Sequence, residues 1–69
     1  MTKKIINKAI SYLGLEIVGH RGDGYFYFCD LKEGHQVGDS VLVCYLNQLT
    51  LSQWIQEAEQ AELQYLKSL

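Results

Sequence analysis

Between residues 3 and 13 the apolar positions recur at helical spacing. Ile6, Ala9, Ile10 and Leu13 form one stripe with Ile5 beside it, and Lys3, Lys4, Asn7, Lys8 and Ser11 fall outside. The spacing predicts an amphipathic helix of about three turns. Thr2 can cap its start, and Gly14 stands where a left-handed C-terminal residue is expected. Lys3 and Lys4 oppose the helix dipole by about 0.3–1 kcal/mol, which favours fraying of the first turn.

From Leu15 the period falls to two. Leu15 to His20 and Tyr25 to Asp30 read as strands, and Arg21-Gly22-Asp23-Gly24 between them carries the glycine and aspartate of a tight β-hairpin. A polar stretch, Lys32 to Ser40, then leads into Val41-Leu42-Val43-Cys44-Tyr45-Leu46, β-branched and aromatic enough to be a third strand. Thr50-Leu51-Ser52-Gln53 is a Thr-x-x-Gln capping box, and it opens a stripe of Leu51, Trp54, Ile55, Ala58, Ala61, Tyr65, Leu66 and Leu69 with no glycine or proline to interrupt it. The expected fold is α+β in a single domain spanning residues 1–69: helix, three-stranded antiparallel meander, helix, with both helices packed on one face of the sheet. The second helix outruns strands of six residues, so its last turns, around Leu63, Leu66 and Leu69, should find little of their own chain to cover.

Strand alternation separates two faces. Leu15, Ile17, Gly19, Phe26, Phe28, Val41, Val43 and Tyr45 fall on the face expected to meet the helices. Glu16, Val18, His20, Tyr25, Tyr27, Cys29, Leu31, Leu42, Cys44 and Leu46 fall on the other, which carries too few charges for a solvated surface. Tyrosine suits an interface because its ring buries area while its hydroxyl tolerates water. The candidate interface is therefore Val18, His20, Tyr25, Tyr27, Leu42, Cys44 and Leu46, with Leu66 at the end of the second helix. Three readings compete: a docking surface for a second copy or a foreign protein, a doubly covered core with one helix on each side, and a face that is simply exposed.

Composition narrows the function. At 69 residues, 48% hydrophobic and 20% charged, the chain is an ordinary small globular domain. Eight acidic residues against six basic give a net charge of -2, which removes the usual electrostatic reason to expect a nucleic-acid partner. A helix carrying Lys3, Lys4 and Lys8 leaves a nucleic-acid-associated regulator as the alternative. No apolar run approaches 18 residues, and the Lys3-Lys4 start is followed by a stretch broken by Lys8 and Glu16 rather than a signal peptide; the expectation is a cytoplasmic protein with no membrane partner.

Candidate chemistry is sparse, and neither catalytic residues nor a cofactor are expected. Cys29 and Cys44 would sit opposite or diagonal to each other in the meander, as reduced thiols or, in an oxidising compartment only, as a disulfide; with His20 and His35 they have zinc-ligand types but lack the close Cys-x-x-Cys or His-x-x-x-His pairs of zinc sites. Glu16 and His20 share a face without a nucleophile motif nearby. Arg21-Gly22-Asp23 spells an integrin tripeptide but belongs to the turn, and Gly19, Gly22 and Gly24 miss the phosphate-cradling Gly-x-Gly-x-x-Gly spacing.

Gly22-Asp23-Gly24-Tyr25-Phe26-Tyr27, the strand ending Tyr45-Leu46-Asn47, and Leu49-Thr50-Leu51-Ser52-Gln53-Trp54-Ile55 together resemble a pattern in short uncharacterised proteins encoded by bacteriophages and prophages, over about residues 14–60. These motifs are structural, and no site residues carry over with them. The resemblance implies a small accessory protein that binds and blocks a host enzyme, including enzymes of host defence. The expectation is a non-enzymatic interaction module, homodimeric, with a host protein as further partner.

Overall fold

A computed structural model describes residues 1–68. The element order is α1 (Lys3–Ile10), a 3-10 turn (Ser11–Leu13), β1 (Leu15–Gly19), β2 (Phe26–Asp30), β3 (Gln36–Val41), a second 3-10 turn (Leu46–Gln48) and α2 (Leu51–Lys67). The sheet is an antiparallel meander in the order β1-β2-β3, and both helices pack on the same face. One core unites Ile6 and Ile10 of α1, Leu15 and Ile17 of β1, Phe26 and Phe28 of β2, Val37 of β3, and Trp54, Ala58 and Ala61 of α2.

Thr2 caps α1, its Oγ1 accepting from the Ile5 amide at 3.3 Å. The helical stripe expected to reach Leu13 tightens into a 3-10 turn after Ile10 and stops at Gly14, φ 70°. The hairpin pairs Leu15 with Asp30 through Gly19 with Phe26, so the connection is longer than a tight turn: His20 and Tyr25 lie outside the ladder. Gly19 is the last paired residue of β1, opposite Phe26, and a Cβ there would stand 2.8 Å from the Phe26 ring that it makes room for.

The third strand is a correction. It runs over Gln36–Val41, through residues expected to be loop, and most of the expected strand, Leu42 to Leu46, is irregular or in a 3-10 turn. Two local features override the β propensity of Val41–Leu46. Asp30 Oδ1 accepts from the Glu33 and Gly34 amides, and with Gly34 at φ 74° this turns the chain back at once, so pairing resumes at Gln36 opposite Cys29. At the far end the Val43 amide bonds the Val41 carbonyl, ending the ladder. Val43, Leu46 and Leu49 are then free to pack, half-buried, against the core.

The β2–β3 register shifts between Phe26 and Phe28, and Gly38 lies in this irregular stretch at φ 75°. A Cβ on Gly38 would meet the Cα and Cβ of Ala61 at 2.6 Å, so α2 crosses β3 with backbone nearly on backbone. The contact is latched by Gln64, whose Oε1 accepts from the Asp39 amide at 3.2 Å and whose Nε2 donates to the Asp39 carboxylate at 3.3 Å. Trp54, fully buried, sets its indole edge-on to Phe26 (5.8 Å between centroids) and Phe28 (6.3 Å) and donates Nε1–H to the Leu46 carbonyl at 2.8 Å. Thr50 and Gln53 close the expected capping box. Beyond this core contact Leu63 and Leu66 are more than half exposed, as the length of α2 anticipated; Leu69 lies outside the described residues.

Candidate functional site

Because both helices occupy one face, no element among the described residues covers the other. It carries Glu16 and Val18 of β1 against Cys29 and Tyr27 of β2, each pair directly opposite in the register. Tyr25, just before β2, stacks its ring on Tyr27 at 6.2 Å between centroids and 20° between planes. Val18 and Tyr27 are half-buried, Tyr25 is exposed, and Cys29 is buried, only 8% exposed, with Glu16 and Gln36 as its register partners. Burial pushes the Cys29 thiol up, and the Glu16 and Asp30 carboxylates add to the effect, so little thiolate forms at neutral pH.

Of the expected interface residues, the structure brings Val18, Tyr25 and Tyr27 together. His20 is exposed in the hairpin turn. Leu42, just past β3, is 81% exposed. Cys44 is half-buried in the following segment, where its carbonyl accepts from the Gly22 amide at 2.9 Å. Leu46 does not belong to this face, since its side chain packs against the core from the second 3-10 turn. Leu66 lies on α2, apart from the sheet. Tyr45, expected on the core face, instead stands half-exposed under Arg21, whose guanidinium carbon is 5.6 Å from the ring centroid.

One amide on each outer strand is taken by a helix side chain. The Ile17 amide points away from β2 and donates to Asn7 Oδ1 of α1 at 2.7 Å, while Gln64 takes the Asp39 amide of β3.

A cleft of about 570 Å³ that the sequence did not suggest opens where the start of α1, the hairpin turn and the second 3-10 turn meet, with Lys3, Arg21, Phe26, Tyr45, Asn47 and Gln48 among its walls. Its 3-10 wall is held by Gln48, whose Oε1 accepts from the Cys44 and Tyr45 amides, and by the Trp54 bond to Leu46. The sequence did not suggest it because Val41–Leu46 was expected to be a strand; the Gln48 side chain four residues after Cys44 was the available sign of a local turn.

Among the described residues no three His, Cys, Asp or Glu side chains come together as a metal site requires, so Cys29, Cys44, His20 and His35 do not form the zinc set their types allow. Nor is any described helix long and apolar enough to cross a membrane. Comparison with known protein families, curated proteins and solved structures finds no match.

Proposed function

We propose that this chain is a small non-enzymatic protein-interaction module that self-associates through the helix-free face of its sheet. The observation that carries it is the stacked Tyr25–Tyr27 pair beside Val18 on a face that neither helix covers. The expected strength follows from size. Three strands of about five residues make a face of roughly 14 Å by 17 Å, or about 240 Å². A standard interface takes about 800 Å² from each partner. Even with Tyr25, Leu31 and Leu42 added at the rim, the contact belongs to the weak, reversible class. A homodimer with a dissociation constant in the micromolar range or above is the consequence.

The resemblance to prophage-encoded proteins extends the proposal to a cytoplasmic setting, in which Cys29 and Cys44 stay reduced, and to a host enzyme as the second target. Sedimentation equilibrium from about 10 µM to about 1 mM tests the self-association, because that range brackets the expected constant. Wild type should pass from monomer to dimer, and Tyr27→Asp should remain monomeric with its fold intact. A monomeric wild type at all concentrations rejects self-association. The alternative of a nucleic-acid-associated regulator draws on Lys4 and Lys8, both exposed on α1. Retention on heparin at about 100 mM salt would favour it, since phosphate-driven affinity is strong at low salt.

A further inference from the structure

We propose that the cleft between the start of α1, the hairpin turn and the second 3-10 turn binds a small phosphorylated aromatic compound of the nucleoside-phosphate class.

Charge is the first support. The chain has two more acidic than basic residues, yet Lys3 and Arg21 line this cleft and no carboxylate side chain does. Among the described residues neither cation has a carboxylate within ion-pair distance. An anion entering the cleft would therefore gain two charge-assisted partners without displacing an existing one.

Preorganisation is the second. The Arg21 guanidinium carbon lies over the Tyr45 ring, 5.6 Å from its centroid, a cation–π contact that sets the cation at the cleft wall. The Gly22 amide, next to Arg21, donates to the Cys44 carbonyl, and the Gln48 side-chain Oε1 accepts from the Cys44 and Tyr45 amides, so the backbone on both sides of the Arg21–Tyr45 contact is tied down. Holding the arginine in place before a ligand arrives reduces the entropy lost on binding.

Surface chemistry supplies the aromatic part. Tyr45 stays 49% exposed with Arg21 over its ring, which leaves aromatic area for a flat ligand, and the Asn47 side chain, which accepts and donates, suits the edge of a nucleobase. A volume of about 570 Å³ lies well inside the usual range for small-molecule sites.

The test is an amide-resolved NMR titration of the full chain with adenosine 5′-monophosphate, adenosine and inorganic phosphate in parallel. The monophosphate should shift Arg21 and residues 45–48, and should bind at least about tenfold more tightly than either fragment, because each contributes a separate set of contacts. Arg21→Gln should weaken it about tenfold and Lys3→Gln by a smaller factor, with thermal melts confirming that both variants stay folded. The proposal is overturned if the monophosphate leaves the cleft signals unmoved at about 1 mM. It is equally overturned if either fragment binds as tightly as the whole, or if both variants bind as wild type does.

Discussion

Replacing Gly38 by alanine probes the closest contact in the fold. Two costs add. The first is conformational: at φ 75° an L side chain costs about 1–2 kcal/mol. The second is steric, because the new Cβ would lie 2.6 Å from both the Cα and the Cβ of Ala61, against an ordinary contact of about 3.5–4.0 Å. Helix α2 must retreat by about 1 Å, stretching the Gln64–Asp39 latch, and overpacking of this kind costs about 1–3 kcal/mol. The sum, about 2–5 kcal/mol, is a large part of the roughly 3–10 kcal/mol expected for 69 residues. Gly34→Ala is the internal control: its φ is 74°, but nothing lies within 4 Å of the added Cβ, so only the conformational cost applies. Urea unfolding followed by the fluorescence of Trp54, the single tryptophan, gives both values. Gly38→Ala should be the more destabilised by about 1–3 kcal/mol. Ala61→Gly should rescue it only in part, since the Ala61 Cα is as close as its Cβ. Equal destabilisation of the two glycine variants would refute the backbone-on-backbone crossing.

Trp54→Phe should cost more than the lost area suggests, since it leaves the Leu46 carbonyl with only the longer 3.4 Å bond from the Leu49 amide; about 1–2 kcal/mol in urea is expected, and a loss below about 0.5 kcal/mol would contradict that bond's role. The Asp30 carboxyl is held below the ordinary range chiefly by the Glu33 amide, with the Gly34 and His35 amides and the His35 charge assisting against a smaller opposing effect of burial. Its folded pKa being depressed, the stability it contributes is complete above the ordinary aspartate pKa of about 3.9 and disappears as pH falls through the lower folded value. Melting temperatures between about pH 6 and pH 2 should therefore fall less steeply for Asp30→Asn than for wild type; parallel curves would reject the contribution. Tyr12 behaves in the opposite sense. Its hydroxyl donates to Glu59 at 2.8 Å, which raises its pKa, so this link between the first 3-10 turn and α2 is intact below about pH 10 and is lost as pH rises further. Spectrophotometric titration should find one tyrosine ionising later than it does in Glu59→Gln. Iodoacetamide at about pH 8, near the ordinary thiol pKa, should modify Cys29 at least about tenfold more slowly in the native than in the urea-unfolded chain; equal rates would contradict its burial.

Much of the fold was legible because its signals are local and redundant. The Ile6–Ile10 stripe with Thr2 and Gly14, the alternation of Leu15–Gly19 against Phe26–Asp30, and the Thr50–Gln53 box each combine periodicity with an end signal. The third strand was not legible, since its pairing is decided by the Asp30 side chain and by Gly34 rather than by the propensity of the strand itself. Gln36, Gly38, Asp39 and Ser40 look like loop, yet they pair or bulge because the chain has already been turned back beside β2. The apolar run from Val41 to Leu46 then splits its duties: Val43 and Leu46 fill the core margin while Leu42 and Tyr45 point outward. For the same reason the candidate surface was only partly legible. Tyr27 and Val18 follow from β1–β2 alternation alone, whereas Leu46 depended on the misplaced strand, and the Arg21–Tyr45 cleft on a turn that no periodicity announces.

The central claim is that the uncovered sheet face meets a second copy of the chain. Its most direct measurement is a dilution series of amide-resolved NMR spectra from about 1 mM to about 20 µM, spanning the expected constant. Concentration-dependent shifts should cluster at Glu16, Val18, Tyr25, Tyr27 and Cys29 and leave Lys4, Lys8 and the exposed side of α2 unmoved. Shifts centred on Leu63 and Leu66, or spectra that do not change with concentration, would contradict it.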